Sequence, residues 1–196
     1  MLLDRLMPEF DATRIEHRVI EGRPAAVYDA AIHADLLGVA RQSPIVRGLF
    51  GLRSAAEHAV AAARRSPFVH PPEPTALRLS DLSEQGDWVR LGEDPPNEFA
   101  FGAIGRFWAG ETAWREIDAL AFAAFAGPGY AKIGCNLSLR AYGEHRTLLS
   151  YEARTQATDD RARRAFLRYW LVVSPGVGIV MRSTLAFIAQ SVGHSA

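Results

Sequence analysis

The sequence holds one cysteine, Cys135, so no disulfide can form within the chain. A lone thiol fits a reducing compartment. Net charge is lacking as well, because 22 Lys and Arg balance 22 Asp and Glu. An even balance argues against nucleic acid or a polybasic membrane attachment as the main partner. Long apolar runs are absent. Uncharged stretches such as Tyr169 to Met181 and Ala119 to Ala131 have 13 residues each, short of the about 20 that cross a bilayer. The first residues carry Asp4 and no apolar run, so they do not read as a signal peptide. The expectation is a soluble, cytoplasmic protein with no stable membrane insertion, and the sequon at Asn136 then has no role.

Metal and nucleotide signatures are also missing. The histidines (His17, His33, His58, His70, His145, His194) show no H-x-x-x-H spacing, and there is no C-x-x-C, so no metal site is expected. Gly176-Val-Gly178 lacks the third glycine and the preceding strand of a dinucleotide loop, and no P-loop pattern exists. No cofactor is expected.

What is present is a globular balance: 196 residues, 48% hydrophobic and 22% charged. A chain of this length buries roughly 70% of its unfolded surface. No repeat or low-complexity tract divides it. Residues 1–11 read as a loose lead-in and 12–192 as a single domain.

Thr13 to Ile20 alternates as a strand, with Ile15, His17 and Val19 on one apolar face and Arg14, Glu16 and Arg18 on the other. Pro24 marks a helix start, and Ala25 to Leu37 is the helix. A second helix follows Ser43-Pro44, with Leu49, Leu52, Ala55, Ala56, Ala59 and Val60 at helical spacing and Arg64-Arg65 near its end. His70-Pro-Pro-Glu-Pro74 is a stiff loop. Thr75 to Leu79 and Asp87 to Leu91 are short strands. Glu98 to Trp108 is a stronger one, with Phe99, Phe101, Ala103 and Phe107 on one face and Gly102 and Gly105 marking bends or close backbone approach. Ile117 to Phe125 fits either element. Gly127-Pro-Gly129 is a turn.

Tyr130 to Tyr142 and Arg146 to Ala157 form a hairpin about Gly143-Glu-His145. Ile133, Cys135, Leu137 and Leu139 share one face of the first strand. Leu149, Tyr151, Ala153 and Thr155 share one face of the second. Thr158 caps the last helix, with Asp159 and Asp160 in its first turn. Ala162, Ala165, Phe166, Tyr169, Trp170 and Val173 make its apolar stripe, which resumes with Val177, Val180, Met181, Leu185 and Ile188. Pro175 predicts a kink or short break. The two halves span roughly 45 Å.

The order is strand, two helices, several antiparallel strands, then one long amphipathic helix. Hairpin-linked strands bury one face, and the last helix has a matching stripe. The fold class is α+β: a curved antiparallel sheet wrapped around a long C-terminal helix, with two shorter helices after the first strand. The stretches E-F-A-F-G-A-I-G-R-F-W (98–108), F-A-G-P-G-Y-A-K (125–132), L-L-S-Y-E-A-R-T-Q-A-T-D-D (148–160) and F-L-R-Y-W-L-V-V-S-P-G-V-G-I-V-M-R (166–182) resemble uncharacterised bacterial members of the START / polyketide-cyclase-like (SRPBCC) superfamily. The resemblance spans about 13–190. It implies a helix-grip fold with an apolar cavity between sheet and helix that takes a lipid, quinone or polyketide-like ligand. In some members the same cavity supports cyclisation, dehydration or hydrolysis.

The candidate ligand-binding residues are Phe99, Phe101, Phe107, Leu137, Tyr151, Tyr169, Trp170, Val173 and His17. Aromatic side chains also serve plain core packing, and a buried Tyr151 hydroxyl seeks a partner, protein carbonyl or ligand oxygen. His17, between Ile15 and Val19, has the acid/base chemistry of a neutral-pH catalyst or is a satisfied core or edge residue. Glu152 and Arg154, with Glu98 and Arg106, suggest charge pairs on the sheet's outer face. Three functions stay open: binding of a small apolar molecule, a cyclase or dehydratase using His17 or Tyr151, and a non-catalytic homodimeric scaffold.

Overall fold

The computed structural model describes residues 1–35, 38–39, 78–83, 85–109 and 113–194. The second expected helix and the proline-rich loop lie outside them, as do residues 75–77 of the short strand proposed before Leu79.

The alternating segments form one antiparallel sheet. Its strands are β1 (Ala12–Glu21), β3 (Trp88–Asp94), β4 (Glu98–Arg106), β5 (Ala113–Arg115), β7 (Ala131–Ala141) and β8 (Arg146–Ala157), in the order β1-β8-β7-β4-β3, with β5 continuing the β3 side of β4. β2 (Gln85–Gly86) and β6 (Ile117–Asp118) make a separate two-stranded ribbon. The sequence 117–125, ambiguous in its periodicity, splits into β6 and a single helical turn, α3 (Ala119–Phe122), in which the Leu120 amide donates to the Asp118 carboxylate. Leu79 opens a short 3-10 turn and not the end of a strand.

The long helix, α4 (Asp160–His194), lies against this sheet. Its cap is one residue later than expected: Asp159 accepts from the Ala162 amide at 2.8 Å. The Thr158 hydroxyl is engaged elsewhere, donating to the Tyr130 carbonyl and accepting from the Tyr130 amide. Pro175 lies inside α4, and the helix continues through it without ending. By length and composition α4 could cross a bilayer, since Arg182 alone interrupts its apolar half (mean hydropathy 1.7 over 18 residues). Here it serves as a core helix, with Met181, Leu185 and Ile188 fully enclosed.

The helix after β1, α2 (Pro24–His33), starts with proline in its first turn and ends earlier than periodicity suggested. Val27, Tyr28 and Ala31 are buried beneath it, and the Tyr28 hydroxyl donates to Glu93 of β3 at 3.3 Å. Burial and then the Glu93 charge push that phenol up to about 12.

Residues 1–11 are not a loose lead-in. Leu2–Leu6 forms a short helix, α1, on the sheet's outer face, with Leu3 and Met7 wholly buried. Gly134 allows this closure, since a Cβ there would stand 2.6 Å from Met7 Sδ and 2.9 Å from Leu3 Cδ2; on the same face a Cβ on Gly102 would stand 2.7 Å from the Ile133 carbonyl oxygen and 3.0 Å from Phe122 of α3. The polar groups enclosed there pair locally, except Asn136 Oδ1, which is buried with no hydrogen-bond partner among the described residues. Glu152 accepts from Arg154 Nε at 2.6 Å, while the other Arg154 nitrogens donate to the Met7 carbonyl and to Asp4. Asn136 Nδ2 donates to Glu98 at 2.6 Å, and Glu98 also accepts the Leu2 amide. Of the charge pairs expected across strands here, Glu152 and Arg154 pair within β8, and Glu98 and Arg106 make no ion pair among the described residues; Arg106 stacks over the Tyr130 ring at 4.6 Å.

Candidate functional site

The concave face is set by strand register. Leu137 stands opposite both Phe99 and Tyr151, and Cys135 opposite both Phe101 and Ala153. Side chains directly opposite in an antiparallel ladder share a face, so these residues line one surface, together with Ile133, Leu139 and Leu149. The sequence placed all of them on inward faces, and that reading holds.

For β1 it does not. Glu16 pairs with Tyr151, Arg14 with Ala153 and Arg18 with Leu149, so the charged side of β1 is the one that faces α4. Ile15 and Val19 are 44% and 42% exposed on the other side. His17 sits between them, exposed, with Nδ1 2.8 Å from the Ser150 hydroxyl. It is removed from the concave face by the period of the strand. The inversion has a partner in α4. Glu16 accepts from Arg14 at 2.6 Å and from Arg182 at 2.7 Å. The Arg14 guanidinium lies where a side chain of residue 178 would be, since a Cβ there would come within 2.3 Å of Nη2, and Gly178 supplies the space.

Above this surface α4 carries a buried stripe with a gap. Ala162 and Phe166 are sealed at one end, and Met181, Leu185, Ile188 and Val192 at the other. Between them Tyr169, Trp170, Val173 and Val177 are only half-buried. On the sheet, Ile133, Tyr151 and Ala153 are half-buried too. The helix packs mainly on β1, less on β8 and least on β7.

Aromatic rings connect the two layers. Tyr151, Phe101 and Trp88 follow one another at 6.3 and 5.9 Å, and Phe99 joins Phe101 at 6.2 Å. Trp88 continues through Trp114 to Phe107, and Phe107 through Trp108 and Phe166 to Trp170 of α4. Phe99, Phe101, Phe107 and Leu137 are buried in this assembly. Of the sequence-derived candidates, His17 stands outside it, and Tyr169 and Val173 lie on the half-buried stretch of α4. Trp88 and Trp114 were missed. Trp88 lies in a short strand whose inward side was not assigned, and nothing in the sequence around Trp114 fixes its contacts.

The Cys135 and Tyr151 side chains of this face are neutral. Burial pushes the Cys135 thiol up to about 12, opposed by its hydrogen bond with Tyr151. Burial, then Cys135, hold the Tyr151 hydroxyl well above its ordinary value of 10. Neither exchanges protons near neutrality. Among the described residues, no group of three His, Cys, Asp or Glu side chains is placed to hold a metal. A separate groove of about 820 Å³ lies at the far end of α4, lined among others by Glu21, Asp29, His33, His145, Phe187 and Val192. It includes none of the candidates above.

No family model matches the chain, and no curated protein does. Among solved structures it is similar to a conserved protein from Geobacillus kaustophilus, at 8% identity and a TM-score of 0.42, covering 94% of this chain and 97% of that one. A second is a Thermus thermophilus protein, TTHA0849, at 11% identity and TM-score 0.37, covering 94% and 99%. A third is CalU16 from Micromonospora echinospora, at 13% identity and TM-score 0.29, covering 93% and 84%.

Proposed function

We propose that this protein binds a small hydrophobic molecule, a lipid, quinone or polyketide-like compound, between the concave sheet face and the middle of α4. It would act in the cytoplasm as a START / polyketide-cyclase-like (SRPBCC) protein. The observation that carries the reading is the α4 stripe, sealed at both ends and half-open between Tyr169 and Val177. An apolar ligand there gains about 25 cal/mol per Å² buried. Phe101, Tyr169, Trp170 and Val173 supply the wall, and the neutral Tyr151 hydroxyl supplies one orienting hydrogen bond. Binding is favoured over acid/base catalysis because Tyr151 and Cys135 keep their protons at neutral pH, while His17 faces the other way.

The test is native mass spectrometry of the purified protein, followed by solvent extraction. A stoichiometric apolar molecule, or a thermal shift with one class in a lipid and quinone panel, is the expected result. Repeatedly empty protein with no shift across the panel overturns the reading.

A further inference from the structure

The outward side of α4 has a property that the interior does not explain. After Asp160 the helix contains five arginines and no Asp or Glu through His194, on a chain whose net charge is zero. At about 100° per residue, Arg161, Arg164, Arg168, Leu171, Val172 and Pro175 fall on one face. All six are exposed, and Leu171 and Val172 are 80% and 79% open to solvent. Arg163 and Arg182, by contrast, are used internally, on Asp11 and Glu16. Arg164 and Arg168 make no ion pair among the described residues.

We propose that this face docks on an anionic lipid surface, with α4 lying along the headgroup plane. Leu171 and Val172 enter the acyl boundary, and Arg161, Arg164 and Arg168 sit on lipid phosphates one to three turns away. Basic residues combined with large exposed aliphatics on one helix face suit an interface that is both anionic and oily. Two alternatives fit the same residues less well. Nucleic acid offers phosphates but no use for the two aliphatics. A second copy of this face brings only the Asp160 carboxylate at its edge to answer three arginines. The docking stands on the outer face alone and does not depend on what fills the interior.

The experiment is co-sedimentation of the full chain with phosphatidylcholine vesicles with and without about 30% phosphatidylserine, at roughly 50 and 500 mM salt. Binding is expected only to the serine-containing vesicles, and it should weaken at high salt. Arg164→Gln/Arg168→Gln should bind about ten-fold more weakly. Leu171→Ser/Val172→Ser should lose a similar factor while keeping the salt dependence. Both pairs of positions are exposed, and unchanged circular dichroism and thermal unfolding confirm folded variants. Absence of sedimentation with anionic vesicles overturns the proposal, as does sedimentation that neither variant alters. Tighter binding to duplex DNA than to vesicles overturns it in favour of nucleic acid. A dimer in analytical ultracentrifugation that Leu171→Ser/Val172→Ser abolishes, with no vesicle binding, overturns it in favour of self-association.

Discussion

On its outer face the sheet meets a helix of five residues, and there Asn136, Glu152 and Arg154 are buried with Leu3 and Met7. On its concave face it meets a helix of 35 residues, and there Tyr151 and Ala153 stay half-buried. The length of the covering element does not decide closure. What decides it is how near the backbones come. Gly102 and Gly134 let the outer layer settle directly on the strands, so even charged groups there are enclosed and must find partners. The long helix rests on β1 and is held there by Glu16, Arg14 and Arg182, while Tyr151 and Ala153 of the neighbouring β8 keep partial exposure.

Substitutions test this contrast directly. The largest loss is expected for Arg154→Leu, which strands the buried Glu152 carboxylate and frees Asp4 and the Met7 carbonyl. A cost of about 3–5 kcal/mol in urea unfolding is anticipated. A loss below about 1 kcal/mol would show that the outer network is not closed. Next comes a paired measurement. Ala100→Leu on the sealed side should cost about 2–3 kcal/mol through overpacking, whereas Ala153→Leu on the concave side should cost under about 1 kcal/mol and weaken ligand uptake. Equal costs would erase the distinction between the faces. Tyr151→Phe removes the hydroxyl shared with Cys135 and should cost about 1 kcal/mol, with its larger effect on ligand orientation.

The smallest effect concerns acid. Arg154, then the amino terminus, hold the Asp4 carboxyl below its ordinary value of 3.8. A lowered folded-state value means that this carboxylate stabilises the fold above pH 3.8, and that the contribution is lost as pH falls through the folded value. Asp4→Asn should therefore flatten the acid limb of stability below about pH 4, visible as a reduced difference from the parent protein in pH-dependent melting. An unchanged acid limb would place the docking of α1 elsewhere.

Legibility in the sequence followed the same divide. The β7–β8 hairpin was readable to within a residue because strict alternation flanks Gly143, whose φ of 76° suits glycine. The stripe of α4 was readable because helical periodicity persists over many turns. The concave candidates Phe99, Phe101, Leu137 and Tyr151 came from those two signals together. The facing of β1 was not readable. A period of two defines two sides but not which is inner, and Ile15 and Val19 argued for the wrong one. The choice rests on Arg182 and Gly178, far away in the chain. The packing of α1 was equally hidden, since five residues are too few to show a periodicity, and its fit depends on glycines in strands formed much later.

The orientation of β1 also bears on how copies of this protein behave in solution. Among the described residues β1 ends the sheet, and one line of its peptide groups has no neighbouring strand there. Arg14, Glu16, His17 and Arg18 put polar or charged side chains on both sides of that rim, and α4 packs against one of them. A second strand seeking to add there would have to desolvate this fringe, so strand-by-strand polymerisation is discouraged at the position where an open sheet is most vulnerable.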